Sequence, residues 1–298
     1  MLIREALAQG SADLKFANIE SSSLDASILL AHILKTERTA LFASGTDLIS
    51  DDACAAYCDL IQRRRNGECV AYLTGKKEFM GLEFIVNNSV LVPRPETETL
   101  VETALTIYNE QLAMNNEQLT EKNVKFYVLD LCTGSGAVAI SLKHEMPELE
   151  VYASDISVNA LGLAETNAAG LLSKENCINF FIGDIYSAIS YPLPKSIFSL
   201  IISNPPYIPS GEIETLPIEV QNEPRIALDG GDSGLEIIER IINGAPDFLK
   251  NGGFLLMEAD PRQMSAITIL LEKRGFSDIQ LYKDLSGSKR VIGGRYEK

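Results

Sequence analysis

The first 75 residues carry apolar side chains at the spacing of amphipathic helices. Ser50 stands where a helix N-cap is expected, and residues 24–42 show the same helical periodicity. We therefore predict a small helical bundle domain over residues 1–75. The pattern alone does not distinguish a recognition domain from a packing accessory. One face of the helix after Ser50 carries Ala53, Tyr57, Leu60 and Ile61.

The helical spacing stops near residue 79, and short runs typical of β-strands replace it. Two such runs, residues 82–86 and 90–92, flank the turn-prone pair Asn87-Asn88. Two short strands joined by a turn form a β-hairpin. We therefore predict a hairpin linker over residues 76–95.

From residue 96 onward, strand-like apolar runs alternate with helical patterns. Strands that alternate with helices form a mostly parallel sheet with helices on both faces. We therefore predict an α/β domain over residues 96–298, built on a doubly wound, Rossmann-like sheet of seven strands. These strands are predicted at residues 126–130, 151–155, 178–182, 200–203, 254–258, 279–282 and 290–292.

The chain of 298 residues is strongly acidic, with 41 Asp and Glu against 26 Lys and Arg and a formal net charge of -15. An acidic surface repels a phosphate backbone unless basic residues are clustered. The densest basic cluster is Arg63-Arg64-Arg65, which we interpret as a solvated helix end. We therefore do not expect nucleic acid as a partner.

The five cysteines are scattered and lack the paired short spacings of a zinc site, so we expect reduced thiols and no metal. No stretch approaches the length of a membrane span, and the N-terminus has no apolar targeting segment. We expect a cytoplasmic monomer without membrane contact.

A glycine-rich loop follows the first strand of the predicted sheet. Gly134 and Gly136 stand between that strand and a helical run, where backbone can approach a ligand and free amides can bind it. Asp155 ends the next strand, where a carboxylate can accept both hydroxyls of a ribose. The same loop also fits a dinucleotide fingerprint with Ala139 in its last place. Asp130 favours S-adenosylmethionine, because it could hold the charged amino-acid part of that cofactor.

A second motif, Asn204-Pro205-Pro206-Tyr207, ends an apolar strand. In an open α/β sheet, ligands bind at the carboxyl ends of the strands. The prolines make a stiff turn with free carbonyl oxygens, and Asn204 adds a side-chain acceptor. Two such acceptors can hold both hydrogens of one NH2 group, and Tyr207 could stack on its planar carrier.

Holding both hydrogens orients an amide nitrogen, which is a poor nucleophile, toward an electrophilic methyl group. The acceptors bind more strongly as positive charge develops on nitrogen, so they stabilise the transition state more than the ground state. The motif therefore predicts methyl transfer to an amide or amine nitrogen. A turn that merely ends the strand is the alternative for an isolated motif, but not behind this cofactor loop.

With these residues placed, the chain resembles the protein-glutamine methyltransferases of the PrmC/HemK family, which modify peptide chain release factors. The segments that carry the resemblance cover most of the chain. They are Ala71-Tyr72-Leu-Thr-Gly75, Glu78-Phe79, Leu91-Val-Pro-Arg-Pro-Glu-Thr-Glu98, the Asn204 motif, Glu223-Pro-Arg-Ile-Ala-Leu228, Gly230-Gly-Asp-Ser-Gly-Leu235 and Lys283-Asp-Leu-Ser-Gly-Ser-Lys-Arg290.

The resemblance implies a class I methyltransferase domain that uses S-adenosyl-L-methionine, and a helical domain that recognises class I release factors. The implied target is the glutamine of the release factor's Gly-Gly-Gln loop. The implied catalytic residues are Asn204, Pro205 and Tyr207, and Pro206 joins them in substrate binding. The candidate cofactor-binding residues are Asp130, Cys132, Thr133, Gly134, Ser135, Gly136, Asp155, Asp184, Ile185 and Asn204.

Three positions depart from the family pattern. Cys132 stands where the family usually has the first loop glycine, so a side chain must fit the backbone conformation there. Ile185 replaces a common tryptophan, so the adenine would pack on an aliphatic surface. Cys69 replaces a frequent proline.

Two other hypotheses remain open at this stage. The Asn204 motif is shared with enzymes that methylate exocyclic amines of nucleic acid bases, although the acidic surface disfavours that substrate. A non-catalytic scaffold that binds the cofactor and associates with translation factors is a third reading.

Overall fold

A computed structural model describes residues 1–117, 125–189 and 194–298. The described chain divides into two compact units, Met1–Lys76 with Leu216–Asn222, and Lys77–Thr215 with Glu223–Lys298. The helices are α1 (Ile3–Phe16), α2 (Ser22–Leu34), α3 (Arg38–Ala43), α4 (Asp51–Arg65), α5 (Val70–Thr74), α6 (Pro95–Glu117), α7 (Ala137–Glu145), α8 (Val158–Leu171), α9 (Ile218–Gln221), α10 (Glu236–Phe248) and α11 (Met264–Lys273). The strands are β1 (Lys76–Phe79), β2 (Leu82–Ile85), β3 (Tyr127–Leu131), β4 (Glu150–Asp155), β5 (Asn179–Ile182), β6 (Phe198–Ser203), β7 (Leu249–Glu258), β8 (Phe276–Lys283) and β9 (Lys289–Tyr296).

The first unit is a helical bundle whose core is filled by apolar faces of α1, α2 and α4. The Ser50 hydroxyl accepts from the Ala53 amide at 3.2 Å, which confirms Ser50 as the N-cap of α4. The helical periodicity over residues 24–42 belongs to two helices, because the chain turns at Lys35, whose left-handed conformation ends α2 before the chain restarts as α3. That turn shortens α2 and lets α3 fold back onto the same core.

Arg64 corrects the interpretation of the basic cluster as a solvated helix end. Its side chain is buried and forms ion pairs with Asp25 at 2.8 Å and Glu219 at 2.6 Å. Arg63 pairs with Glu68 at 2.6 Å, so two of the three guanidinium groups are engaged by carboxylates within the helical unit. Arg65 is exposed.

The second unit contains a seven-stranded sheet in the order β5-β4-β3-β6-β7-β9-β8, which confirms the predicted fold class. The five strands from β5 to β7 in this order pair in parallel, and β9 is antiparallel to both β7 and β8. Every residue of β6 is buried, as a central parallel strand covered on both faces requires. All seven predicted strands are present, and most extend beyond the predicted bounds.

A β-hairpin is present, but its position differs from the prediction. It pairs β1 with β2 through Met80 and Gly81, which both have positive φ, at 52° and 72°. Two central residues with positive φ make the type I′ turn that suits a two-residue hairpin loop. Residues 90–92, predicted as a strand, lie outside regular structure.

Two further observations complete the fold. Helix α6 continues to Glu117, and residues 118–124 lie outside the described part of the chain. Across the described residues, none of the helices combines the length and apolar character that a membrane span requires.

Candidate active site

The cofactor loop and the acceptor motif lie side by side at one edge of the sheet. Leu131 at the end of β3 is in register with Ser203 at the end of β6, and the Ser203 hydroxyl donates to the Leu131 carbonyl at 2.7 Å. The residues that follow, Cys132 and Asn204, therefore leave the sheet from adjacent strands. This is the carboxyl edge of the parallel strands, where ligands bind in such sheets.

A cavity of about 510 Å³ opens at this edge. Its volume lies in the range of roughly 300–1,000 Å³ that is typical of small-molecule sites. Ten of the predicted site residues line it, but Gly136, Pro205 and Tyr207 do not. The ten are Asp130, Cys132, Thr133, Gly134, Ser135, Asp155, Asp184, Ile185, Asn204 and Pro206.

The two loop glycines meet different surroundings. Gly134 has a φ of 57°, and a β-carbon added to it would meet no atom within 4 Å. A β-carbon on Gly136 would lie 2.7 Å from the Ile140 Cδ1 and 3.1 Å from the Ala164 Cβ. Gly134 therefore keeps the cavity open, whereas Gly136 lets α7 pack closely against α8.

Cys132 adopts the left-handed conformation, with a φ of 60°. A side chain can occupy this region, but at a cost of about 1–2 kcal/mol relative to a right-handed conformation. Burial raises the pKa of the Cys132 thiol to about 12, so the sulfur is a neutral thiol at the cavity wall. The position is one that glycine fills without strain.

Asp130 is buried at the end of β3 and accepts the Thr133 hydroxyl at 2.6 Å. Burial raises the pKa of its carboxyl group to about 7, although the hydrogen bonds from Thr133 and the Ala139 amide oppose that shift. A cation bound beside Asp130 would stabilise the ionised form. The site is therefore suited to a positively charged group.

Asp155, at the end of β4, is fixed by backbone amides. Its Oδ2 accepts from the Gly134 amide at 2.9 Å, and its Oδ1 accepts from the Ser157 amide at 2.8 Å. Burial raises the pKa of Asp155, and these amides oppose that rise. Because each carboxylate oxygen has a second lone pair, Asp155 retains capacity for ligand hydroxyls.

Asp184 and Ile185 form the wall beyond β5. The Asp184 Oδ2 accepts from the Arg240 guanidinium at 2.6 Å, and both residues line the cavity. Ile185 is buried with a φ of 49°, which is unusual for a β-branched residue. The aliphatic surface expected at this position is therefore present.

Asn204 and Tyr207 are both connected to buried side chains. The Asn204 Nδ2 donates to the Thr97 hydroxyl oxygen at 3.1 Å. The Tyr207 hydroxyl donates to the Glu258 Oε1 at 3.2 Å, and its ring packs against the core. Burial raises the pKa of Glu258, while hydrogen bonds from Thr97 and Tyr207 oppose the shift. The stacking role expected for Tyr207 stays a prediction.

Two glycines of the 230–235 run pack against the acceptor motif. A β-carbon on Gly230 would lie 2.9 Å from the Pro206 carbonyl oxygen, and one on Gly234 would lie 2.5 Å from the Tyr207 carbonyl oxygen. Gln263 Nε2 donates to that Tyr207 oxygen at 2.9 Å. The run therefore supports the backbone of the motif by close contact.

Two of the other resemblance segments also reach the cavity. Residues 89–97 and 225–229 both contribute to its lining. Glu223, which is buried, joins the two segments: it forms an ion pair with Arg94 and accepts from the Val92 amide at 3.1 Å. The sequence motifs on either side of the glycine-rich loop thus belong to the same site.

Sequence reasoning missed Asn167, which connects the hairpin to the cofactor loop. Its Nδ2 donates to the Ile85 carbonyl at 3.0 Å and to the Ser135 carbonyl at 2.9 Å, while its Oδ1 accepts from the Ile85 amide at 2.8 Å. It lies within α8, where no local pattern marks it. Its burial, which only the structure shows, requires such hydrogen-bond partners.

Comparison with known proteins agrees with this architecture. Residues 5–75 match the family model of the PrmC N-terminal domain, and residues 113–219 match the methyltransferase small domain. The hMettl16 catalytic domain, solved with an RNA hairpin, superposes with a TM-score of 0.55 at 13% identity, covering 86% of this chain and 84% of that one. At that identity the likeness concerns the fold alone.

Relatives that match over nearly the whole chain identify its family. The release factor glutamine methyltransferase of Burkholderia pseudomallei is 40% identical over 276 residues, which is 92% of each chain. The enzyme of the same name from Koribacter versatilis is 36% identical over 296 residues, or 99% of each chain. The resemblance drawn from the sequence motifs is therefore confirmed, and the chain belongs to the release factor glutamine methyltransferase family.

Proposed function

We propose that this protein transfers a methyl group from S-adenosyl-L-methionine to the side-chain amide nitrogen of the glutamine in the Gly-Gly-Gln motif of class I peptide chain release factors. The reaction would support translation termination in the cytoplasm. One observation carries the proposal: the acceptor residue Asn204 and the glycine-rich loop line the same cavity.

The residues around the cavity fit this cofactor. Asp130 is a buried carboxyl group, and a cationic neighbour, such as the amino-acid part of the cofactor, would oppose the burial that raises its pKa and stabilise its ionised form. Asp155 would accept ribose hydroxyls, and Ile185 would offer an apolar surface to the adenine; both line the cavity. Asp184 would hold the adenine amine with the oxygen that Arg240 leaves available. When bound, the cofactor supplies an electrophilic methyl group.

The chain's own residues prepare the acceptor. The Asn204 Oδ1 and the Pro205 carbonyl oxygen would accept the two hydrogens of the glutamine amide and orient its nitrogen. Their partial negative charges stabilise the positive charge that develops on nitrogen, which lowers the barrier. The proton leaves after attack, so no side chain has to act as a base beforehand.

The helical unit is the proposed recognition element for the release factor. Exposed apolar side chains lie on it, among them Phe16, Phe42 and Leu48, which are 84%, 68% and 78% exposed. Apolar side chains at a protein surface are common in binding sites. The monomeric state of the enzyme stays a prediction.

The test is incubation of the full-length protein with radiolabelled cofactor and a release factor. We expect label on the intact factor and none on a factor whose loop glutamine is replaced by alanine. Label retained on the replaced factor would contradict the proposal. Transfer to protein-free DNA or RNA would instead favour the exocyclic amine hypothesis. Loss of labelling in Asn204→Ala separates catalysis from a scaffold role.

A further inference from the structure

The cavity wall beyond β5 contains a residue in a costly backbone conformation. Ile185 is buried, lines the cavity and has a φ of 49°. This left-handed region is disfavoured for every residue with a β-carbon, and β-branched residues are rarely found in it. Such a conformation persists only where the surrounding structure imposes it. The contacts that hold the residues around Ile185 are therefore part of how the cavity is built.

The next residue, Tyr186, has a buried side chain that packs against one face of α10. Its ring stacks on the ring of Phe248, with the centroids 4.7 Å apart and the planes inclined by 7°. Its hydroxyl donates to the Ile241 carbonyl at 2.9 Å. Because Ile241 and Phe248 stand seven positions apart, they lie on the same face of the helix. Tyr186 is thus held both by its ring and by its hydroxyl.

Gly244 lies between these two positions on α10 and leaves the space that the Tyr186 ring occupies. A β-carbon on Gly244 would lie 2.4 Å from the Tyr186 Cδ2 and 2.5 Å from its Cε2. Glycine within a helix is less favourable than alanine, because it loses more conformational freedom on folding. The close approach of the ring is the physical reason for a glycine at this position.

The same helix also contacts the residue on the other side of Ile185. The Arg240 Nη2 donates to the Asp184 Oδ2 at 2.6 Å, and both residues line the cavity. α10 therefore holds Asp184 before Ile185 and Tyr186 after it. Because both of its neighbours are held, Ile185 keeps its left-handed conformation and its place in the cavity wall.

We propose that Tyr186 and Gly244 are positioning residues that hold Asp184 and Ile185 as a preformed wall for the adenine of the cofactor. This inference rests on the proposed function, because it takes S-adenosyl-L-methionine as the ligand and this wall as its adenine site. A wall that is already ordered spares the ligand the cost of ordering it on binding. A fixed Asp184 carboxylate also favours adenine, which carries an NH2 donor, over a base with a carbonyl oxygen at the same place.

Gly244→Ala tests the proposal, because the added methyl group collides with the Tyr186 ring. We expect the dissociation constant of S-adenosylhomocysteine, the demethylated cofactor, to rise about tenfold, in keeping with the loss of one enforced left-handed residue. The methylation rate at saturating cofactor should change by less than about twofold, because Gly244 does not line the cavity. Calorimetric titration measures the affinity.

Gly162→Ala is the matched control for this substitution. Gly162 also lies within a helix, α8, but a β-carbon there would meet no atom within 4 Å. Its replacement should leave the dissociation constant unchanged. An unchanged dissociation constant in Gly244→Ala, or an equal rise in Gly162→Ala, would overturn the proposal.

The choice of base separates positioning from a general loss of stability. The unsubstituted protein should bind S-adenosylhomocysteine more tightly than S-inosylhomocysteine, in which a carbonyl oxygen replaces the adenine NH2. Gly244→Ala should lose most of this preference, because the wall that holds Asp184 has shifted. A general destabilisation would weaken the binding of both ligands equally. The same ratio of dissociation constants in Gly244→Ala and in the unsubstituted protein would therefore refute the positioning role.

Two substitutions of Tyr186 identify the side chain through which Gly244 acts. Tyr186→Phe keeps the stacked ring and removes only the hydroxyl, so it should retain most of the affinity. Tyr186→Leu removes the ring and should weaken binding about as much as Gly244→Ala does. Gly244→Ala should then cause no further loss in the Tyr186→Leu background. Additive losses would show that Gly244 does not act through Tyr186, and would contradict the proposal.

The titrations contain no release factor, so their outcome is independent of methyl transfer. If the unsubstituted protein fails to methylate a release factor, the proposed function fails. If it succeeds while Gly244→Ala binds both ligands as the unsubstituted protein does, only this inference fails.

Discussion

Gly136 packs directly against Ala164, so that an added β-carbon at Gly136 would lie 3.1 Å from the Ala164 Cβ. Gly134, two residues earlier in the same loop, has open space at the corresponding point and lines the cavity. A pair of glycines that the sequence presents as one feature therefore performs two separate tasks.

The first prediction follows from this difference. Both glycines have positive φ, so alanine adds backbone strain at either position. Gly136→Ala should lower the free energy of unfolding by a further amount of about 1–3 kcal/mol, the cost of overpacking the α7–α8 contact. Gly134→Ala should cost less stability, since its methyl group meets no atom and only the strain remains. It should nonetheless weaken cofactor binding, because the methyl group enters the cavity. Denaturant unfolding and calorimetric titration measure the two effects. Similar stability losses in both variants would contradict the assignment.

The second prediction concerns the left-handed conformation of Cys132. Cys132→Gly should raise the free energy of unfolding by about 0.5–1 kcal/mol, because relief of steric strain exceeds the extra entropy of an unfolded glycine. Cys132→Ala is the matched control, as it removes the thiol but keeps the β-carbon. Alanine should give no gain, so an equal gain in both variants would trace the effect to the buried sulfur.

The strands, the glycine-rich loop and the acceptor motif could be predicted because each is marked by residues that are close together in the sequence. β6 is a mostly apolar run followed by Asn204-Pro205-Pro206-Tyr207, a pattern typical of a buried strand that ends at a ligand-binding edge. The hairpin was misplaced because its turn, Met80-Gly81, lacks the asparagine or aspartate that usually accompanies glycine in such turns. The strand signal at residues 82–86 was nevertheless close to β2.

The connections between distant motifs were beyond sequence reasoning. Thr97 meets Asn204, and Glu258 meets Tyr207, only after the sheet has formed, and neither Thr97 nor Glu258 carries a local pattern that points to its partner. Leu216–Asn222 belongs to the helical unit, where Glu219 pairs with Arg64. A segment of seven residues is too short to give a periodic signal for such a contact, so the burial of Arg64 was also missed.

The third prediction concerns the pH dependence of cofactor binding. The pKa of Asp130 rises from the ordinary 3.8 to about 7 in the folded protein. If the ionised form holds the cationic part of the cofactor, affinity should increase as pH rises and level off above about pH 7. Below that pH the dissociation constant should rise by up to about tenfold per pH unit. Calorimetric titration from pH 5.5 to 8 measures the profile.

Asp130→Asn is the control, because its amide does not titrate. Its affinity should be lower and flat over this range. The sign for stability is opposite: the folded state binds the Asp130 proton more tightly than the unfolded state does. The contribution of Asp130 to stability without cofactor is therefore present at low pH and lost as pH rises from about 4 to 7. A cofactor affinity that falls with rising pH would exclude an ionised Asp130 as the partner.

The last prediction concerns the buried ion pair between Arg64 and Asp25. Arg64→Met should lower the free energy of unfolding by about 3–5 kcal/mol, because it leaves the buried Asp25 carboxylate without its partner. The neighbouring Arg65→Met is the matched control. Arg65 is exposed, and its guanidinium hydrogen-bonds to Gln62. Its replacement should change the free energy of unfolding by no more than about 0.5 kcal/mol. Asp25→Asn combined with Arg64→Met should recover part of the stability, since the uncompensated charge is then absent. Denaturant unfolding monitored by circular dichroism compares the variants. Equal losses of unfolding free energy in Arg64→Met and Arg65→Met would contradict the prediction and favour a solvated helix end.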